Sequence, residues 1–383
     1  MLKMTRCTLF FLYGFLLLPA AHSNAAVFSP AGPYVPAAAR GWEKIIPLSA
    51  GYDFKTIAVT PPGSTSSGVI AASPHEVFGN ESGARWAPLW RTYAPSCEIS
   101  RILFFKNIPD TLFILTTEGL YAGSLQTKIF KKIFAGGTKS EQSILSLAVD
   151  PDNPDRWFLG TGKGLFESRD AGTSWTACLA FSEKPVSLLY RTGNQLFAGD
   201  GQSLFVTDDL KNFRRVFDFP SSSSEDEPDT DEILEELSGE IRDENPPRRI
   251  TTENLAGGRA LWLGTKQGVF ESRDGGLSWH SLPQSGLRTP RINSLVHHEP
   301  TGRLFAGTDG GVYEYRFREK KWSEIFEGLT EYHVLGLTAE DSSAPTLFAA
   351  TQNGVFRYAV PPDIQLPTET FSLSAETLRL FRE

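Results

Sequence analysis

The stretch LFAGTDGGVY, Leu304–Tyr313, decides the fold, because the chain keeps repeating it. An apolar pair leads into a turn of small and polar residues, and then come Gly, an aliphatic and an aromatic. The same order is read in LFILTTEGLY from Leu112, WFLGTGKGLF from Trp157 and LFAGDGQSLF from Leu196. It returns as LWLGTKQGVF from Leu261 and LFAATQNGVF from Leu347, with a weaker copy, VIAASPHEVF, from Val69. Successive starts lie 43, 45, 39, 65, 43 and 43 residues apart. A unit of about 40–50 residues made of short strands cannot bury its own apolar face, so it must stack on its neighbours; self-similarity of this period marks a β-propeller.

Each repeat accommodates four strands. The innermost precedes the echo: FKTIAV from Phe54, ISRILFF from Ile99, ILSLAV from Ile144, PVSLLY from Pro185, RITTENL from Arg249, INSLVHH from Ile292 and VLGLTA from Val334. The echo supplies the second and third strands. The fourth starts at an aromatic, namely Trp86, Phe130, Trp175, Phe213, Trp279 and Trp322. Runs of β-branched and aromatic residues punctuated by turn formers are what strands require. After the last echo the chain reaches Pro361-Pro362 with no aromatic fourth strand. The missing strand lies at the other end, where GWEKII from Gly41 matches KWSEIF from Lys321. The expected fold is therefore all-β: a single seven-bladed β-propeller of four-stranded blades over residues 41–360, closed by an N-terminal strand that completes the last blade. Borrowing that strand from the opposite terminus leaves no bare sheet edge at the join.

The ends and the charge add context. Lys3 and Arg6, the apolar run Leu9–Leu18 and the small-residue stretch Ser23-Asn24-Ala25 read as a signal peptide over residues 1–25, with an uncleaved anchor as the alternative. Export to a periplasm, or full secretion, is the expectation. The formal net charge is −8, and residues 221–247 hold eleven acidic groups and one basic group, Arg242. The remaining body is close to neutral and gives no reason to propose a nucleic-acid partner. Removing that acidic, serine-rich stretch brings the 65-residue spacing back into line, so it reads as a disordered insertion in the propeller, with Ile233, Leu234, Leu237 and Ile241 at helical spacing. It is open to three readings: a solvated spacer, a recruiter of a basic partner, or a weak Ca²⁺ site through Asp226, Asp229 and Asp231. The tail, residues 361–383, is either a weak amphipathic helix built on Leu373, Leu378, Leu380 and Phe381 or a frayed end. Cys97 precedes the innermost strand of one blade and Cys178 falls on the outermost strand of the next, so they read as two separate thiols.

Two blades carry a sharper signature. Ser168-Arg169-Asp170-Ala171-Gly172-Thr173-Ser174-Trp175 and Ser272-Arg273-Asp274-Gly275-Gly276-Leu277-Ser278-Trp279 fit S-x-D-x-G-x-[ST]-W. Asp at this spacing bonds to backbone N–H groups further along, and Gly allows the positive φ that such a turn needs. Degenerate copies stand at Thr207-Asp208-Asp209 with Phe213 and at Asn80-Glu81-Ser82-Gly83 with Trp86. The pattern resembles the Asp-box, or BNR, repeat family over Trp42–Tyr358. The single propeller and signal sequence look most like its photosystem II stability/assembly factor-like members. The resemblance implies that these boxes lie on the face away from any active site, which makes Ser168, Asp170, Gly172, Trp175, Ser272, Asp274, Gly276 and Trp279 structural.

Catalytic signatures are weak. The resemblance extends to sialidases and xyloglucan hydrolases, so a glycoside hydrolase is the rival reading. The early Phe-Arg-Ile-Pro motif of sialidases is missing, and xyloglucan hydrolases place their carboxylates on two propellers where this chain has one. Asp200 and Asp309 are carboxylates on face loops with nothing in the sequence to single them out. There is no nucleophile elbow, P-loop or dinucleotide fingerprint, no metal-ligand cluster and no implied cofactor. His297-His298 reads as a solvated pair. What remains is a monomeric binding or assembly scaffold for a protein or polysaccharide of the cell envelope. Its expected site is the channel mouth, at the residues just before the innermost strands: Asp53, Glu98, Ser143, Lys184, Arg249, Arg291 and His333. Small residues recur two or three positions further on, at Thr56, Ser146, Ser187, Thr252, Ser294 and Gly336. Arg101 breaks that pattern and either points into the channel or pairs with an acid of a neighbouring blade.

Overall fold

Among the described residues the strands form seven four-stranded antiparallel sheets. The computed structural model describes residues 41–46, 53–66, 68–81, 85–219, 249–255 and 258–362. The expected signal peptide over residues 1–25, the acidic stretch 221–247 and the tail from 363 onward lie outside the described residues. Blades one to seven begin with inner strands Thr56–Val59, Ile99–Phe105, Ile144–Asp150, Leu188–Thr192, Arg249–Leu255, Ile292–His298 and Val334–Ala339. Blades one to six then step outward through three more strands in chain order, and the last through two, with its outer strand taken from elsewhere in the chain.

Blade seven is completed from the N-terminal side. The short strand Glu43–Lys44 pairs antiparallel with Gly354–Ala359, with Glu43 opposite Arg357 and Lys44 opposite Phe356. Trp42 then occupies the place that the fourth-strand tryptophans hold elsewhere. Its indole N–H donates to Ile325 O of blade six at 2.7 Å. Trp322 of blade six donates to Pro283 O of blade five at 3.1 Å, and Trp175 of blade three to Ile133 O of blade two at 3.2 Å. Trp86 of blade one donates to Ile45 O beside the borrowed strand at 3.1 Å. A buried indole needs a partner for its N–H, and each of these finds one on the outer edge of the blade before it. The join is thus built like an ordinary blade boundary.

Two inner strands start later than the apolar pattern predicts. At Pro185 and Phe54 the first residues serve the neighbouring blade instead: Val186 N donates to Thr161 O at 2.9 Å, and Phe54 N to Thr351 O at 3.1 Å. The second and third strands are joined by a recurring Thr-x-x-Gly turn. Thr116, Thr161, Thr265, Thr308 and Thr351 each donate their hydroxyl to the carbonyl of the Gly three residues on, at 2.7–3.1 Å.

Apolar burial lies between blades. Among the described residues there are seven buried clusters, one at each blade boundary. The closing boundary has its own, built from Ile46, Phe54, Ile57, Phe78, Phe348 and Val355. Blades approach closely on the inside. A Cβ on Gly307 would stand 2.8 Å from Val334 Cγ1, so a side chain there would force blade seven away. The small polar residues of the inner strands stitch neighbours together: Ser146 Oγ donates to Val186 O at 2.7 Å, and Ser294 Oγ to Leu337 O at 3.2 Å. Ladder shifts between Ile99/Arg101, Ile144/Ser146, Ile292/Ser294 and Val334/Gly336 put an irregularity at this level in four blades.

Candidate functional site

The two faces of the ring are built from different chemistry. One carries the hairpins between first and second strands and the turns between third and fourth; Ala171 N donates to Asp155 O across them at 2.9 Å. The other carries the Thr-x-x-Gly turns and the loops that lead into the next blade, linked for example by Gly162 N to Ser143 O at 3.0 Å. We call these the turn face and the loop face.

On the turn face the two S-x-D-x-G-x-[ST]-W segments fold alike. Ser168 Oγ donates to Asp170 Oδ1 at 2.9 Å and accepts from Gly172 N at 2.8 Å. Asp170 also accepts from Ser174 N at 2.8 Å and Ser174 Oγ at 2.6 Å. Ser272 and Asp274 repeat this with Gly276 N at 2.8 Å, Ser278 N at 3.0 Å and Ser278 Oγ at 2.5 Å. Trp175 and Trp279 donate their indole N–H to Gly172 O and Gly276 O. Gly172 and Gly276 adopt φ of +79° and +85°, and a Cβ at either would strike Trp157 or Phe197. The copy at Thr207 and Asp209 keeps the turn without Gly, with Asp209 Oδ1 accepting from Lys211 N and Asn212 N. Hydrogen bonds favour the ionised form. The Ser174 hydroxyl and N–H hold Asp170 below the usual carboxylate range, and the Asn212 N–H does the same for Asp209. For Asp274 slight burial opposes the charge, but the Ser278 hydroxyl and N–H outweigh it and bring the carboxyl to about 2. Every oxygen of these carboxylates is engaged within its own turn.

The loop face holds charged groups around the channel. A cavity of about 760 Å³ is lined by inner strands of blades six, seven, one and two, which flank the closing boundary. Asp53, Arg101, Arg291 and His333 all line it, joined by Lys55, Asn293 and Gln352. Asp309 is not itself among the lining residues but ties three of them together: it lies 3.0 Å from His333 Nε2 and 3.5 Å from Arg291 Nε, and accepts from Asn293 Nδ2 at 2.5 Å. Glu98 stands outside the cavity and pairs with Lys55 at 3.5 Å. Lys184, which is exposed, stands beside Asp200 at 3.9 Å, also away from the cavity. Arg249 opens the inner strand of blade five opposite Gly264. Ser143 caps the short helix Lys139–Gln142.

At the far end of the cavity, toward the turn face, Lys106 of blade two lies 3.2 Å from Glu299 of blade six and 2.9 Å from Asp341 of blade seven. Burial works against its charge, but the two carboxylates prevail and hold the ammonium above its ordinary range. Nothing local in the sequence joins these three residues; only closure of the ring does. The same holds for Arg191 and Asp150, a buried pair at 3.0 Å across blades three and four. His297 and His298 are not solvated. Both are buried, because the ends of inner strands pack against neighbouring blades: His297 stacks on Trp262 with ring centroids 4.7 Å apart, and His298 Nε2 meets Glu340 O at 3.0 Å. Burial lowers the pKa of His298. Cys97 and Cys178 are free, and burial pushes both thiols up. Among the described residues no three His, Cys, Asp or Glu side chains gather as a metal site, and no helix is long and apolar enough to cross a membrane.

Fold and site together define a seven-bladed β-propeller with a polar cavity at its closing boundary. No protein-family model matches the chain, and no curated protein matches its sequence. Solved structures do resemble it. The extracellular domain of BT4673 from B. thetaiotaomicron superposes with a TM-score of 0.61 at 16% identity, over 83% of this chain and 40% of that one. YCF48 bound to a D1 peptide superposes at 0.55 with 14% identity, over 87% and 99%. Streptogramin B lyase superposes at 0.58 with 10% identity, over 82% and 96%. This chain therefore spans about two fifths of the length of the BT4673 chain. At these identities the likeness is one of fold.

Proposed function

We propose that the protein is an exported, non-catalytic binding or assembly scaffold that holds a protein segment of the cell envelope on its loop face. The observation that carries this reading is the cavity, whose wall combines Asp53, Arg101, Arg291 and His333 beside loops of unequal length. Tyr93 and Tyr332 stand exposed on those loops, 96% and 46% accessible, and offer rigid amphipathic contact area around the polar centre. The D1 peptide bound to YCF48 is a precedent for a propeller of this size holding a peptide. Asp309 and Asp200, the loop-face carboxylates that a hydrolase would call on, act as holders of Arg291, Asn293, His333 and Lys184. In the same reading the Ser168–Trp175 and Ser272–Trp279 turns are structural, and the acidic stretch is a solvated spacer.

The test places photo-crosslinking residues at Tyr93 and Tyr332 on one face and at Ile129 and Leu277 on the other, in the native host. Envelope proteins captured from the loop face alone are the expected result. Equal capture from both faces, or hydrolysis of sialyl or β-glucan substrates by the purified chain, would remove the reading; retention on a glycan array without hydrolysis would replace the protein partner by a polysaccharide.

A further inference from the structure

Asp53 stands apart from the other charged groups at the mouth. It sits at the closing boundary, between the borrowed strand and the inner strand of blade one. The two residues that follow it are held in the sheets on either hand, by Phe54 N to Thr351 O at 3.1 Å and by Lys55 N to Ala72 O at 3.0 Å. One carboxylate oxygen, Oδ1, is buried and accepts no hydrogen bond. A desolvated acceptor without a partner is destabilising, by more if it is charged. Such groups persist where something else satisfies them.

The surroundings define that something. Asp53 lines the channel cavity and also a side pocket of about 380 Å³ at the edge of blade one. In the side pocket the Glu76 carboxylate is already matched by Arg91. His75 turns Nδ1 toward Cys97 O at 3.2 Å and Thr92 Oγ1 at 3.4 Å. Lys55, the nearest cation in sequence, is drawn off to Glu98. Among the described residues the side-pocket lining is thus left with one carboxylate, that of Asp53, whose Oδ1 no side chain matches. We infer that Asp53 anchors a subsite for a cationic nitrogen, an ammonium or guanidinium group, entering through the side pocket at the closing boundary. This deepens the reading of the loop face as a binding surface and rests on it. A basic side chain of a protein partner and a free amine share this chemistry.

Calorimetric titration of the full chain tests it, with agmatine and n-butylamine as cations, n-butanol as the neutral shape match, and the peptides Gly-Lys-Gly and Gly-Gln-Gly. The cations are expected to bind and butanol not to. Asp53→Asn should weaken the cations at least tenfold and leave the unfolding midpoint unchanged or raised, since no hydrogen bond to Oδ1 is lost. Glu319→Gln, on the turn face, should leave binding as it is. Preference for Gly-Lys-Gly over agmatine would assign the subsite to a protein side chain, and the reverse to a free amine. Absence of cation binding, equal binding by wild type and Asp53→Asn, or an Asp53→Asn midpoint several degrees lower would each overturn the inference; the last would mean that the protein itself, through a group such as Arg101, already holds the carboxylate. Because the titration needs no envelope partner, the subsite can fail while the scaffold reading stands, and the scaffold reading can fail while the subsite stands.

Discussion

The turn face and the loop face contrast in how completely their polar groups are satisfied. Asp170 and Asp274 spend both oxygens inside eight-residue segments, on donors no more than four residues away. Asp53 leaves an oxygen unmatched, and Asp309 gathers its partners from two blades. Carboxylates closed within a turn stabilise that turn and have nothing left to offer a ligand. Asp309 is satisfied, but from further away in the fold; Asp53, at the head of a converging strand, keeps an oxygen that the described residues do not satisfy, and a positioned but unsaturated group is what a binding surface requires. In the reading proposed above, the same residue type does structural work on one face and is left for recognition, at Asp53, on the other.

The largest effect should come from the boundary that both faces share. Trp42→Ala removes a buried indole, its bond to Ile325 O and its packing on Tyr358. A loss of about 3–5 kcal/mol is expected in urea unfolding, as for other buried Trp truncations. A loss near zero would mean that the ring closes without the borrowed strand.

Gly276→Ala comes next. The new methyl would meet the Phe197 ring at a φ of +85°, and strain of this kind is typically worth about 1–3 kcal/mol. The unfolding midpoint should fall accordingly. A neutral substitution would show that the turn is a passive connection.

Acid sharpens the contrast further. Asp274 is held at about 2 in the folded chain, below the usual range near 4 for an unfolded Asp. A lowered folded pKa gives stability that is present above about pH 4 and is lost as pH falls toward 2. Asp170 and Asp209 are shifted in the same direction. Unfolding followed from pH 5 to pH 2 should show a shallower decline for Asp274→Asn than for wild type, with the variant less stable at neutral pH. Parallel curves would deny the turn carboxylates this role.

The smallest stability effects belong to the loop face. His333→Ala and Lys184→Ala alter exposed side chains and should stay within about 0.5 kcal/mol of wild type, while His333→Ala reduces crosslinking at Tyr332. Destabilisation as large as that of Gly276→Ala would erase the distinction between the faces.

How far the sequence could be read follows from which interactions are local. The Thr308 hydroxyl bond to Gly311 O spans three residues, and the Ser272–Asp274–Ser278 bonds span six. Such units fold the same way wherever they recur, so their spacing exposes seven blades, and the likeness of Trp42 to Trp322 exposes the closure. The start of blade four was misread at Pro185 because the bonds of Val186 run to the neighbouring blade. His297 looked solvated because its stacking partner, Trp262, belongs to another repeat. Asp309 looked like any loop carboxylate, since its link to His333 requires blades six and seven to be side by side.

What the chain determines by itself is the blade: period, strand order, turn chemistry and the strand held over for the end, all from contacts between residues close in sequence or matched in repeat. What only the folded ring decides is which charges face one another. Lys106 reaching Glu299 and Asp341 over nearly two hundred residues or more, the cavity centred on the closing boundary and the unmatched oxygen of Asp53 all depend on how seven similar sheets meet around one axis. No repeat carries that information, because each side chain's partner sits on a different blade.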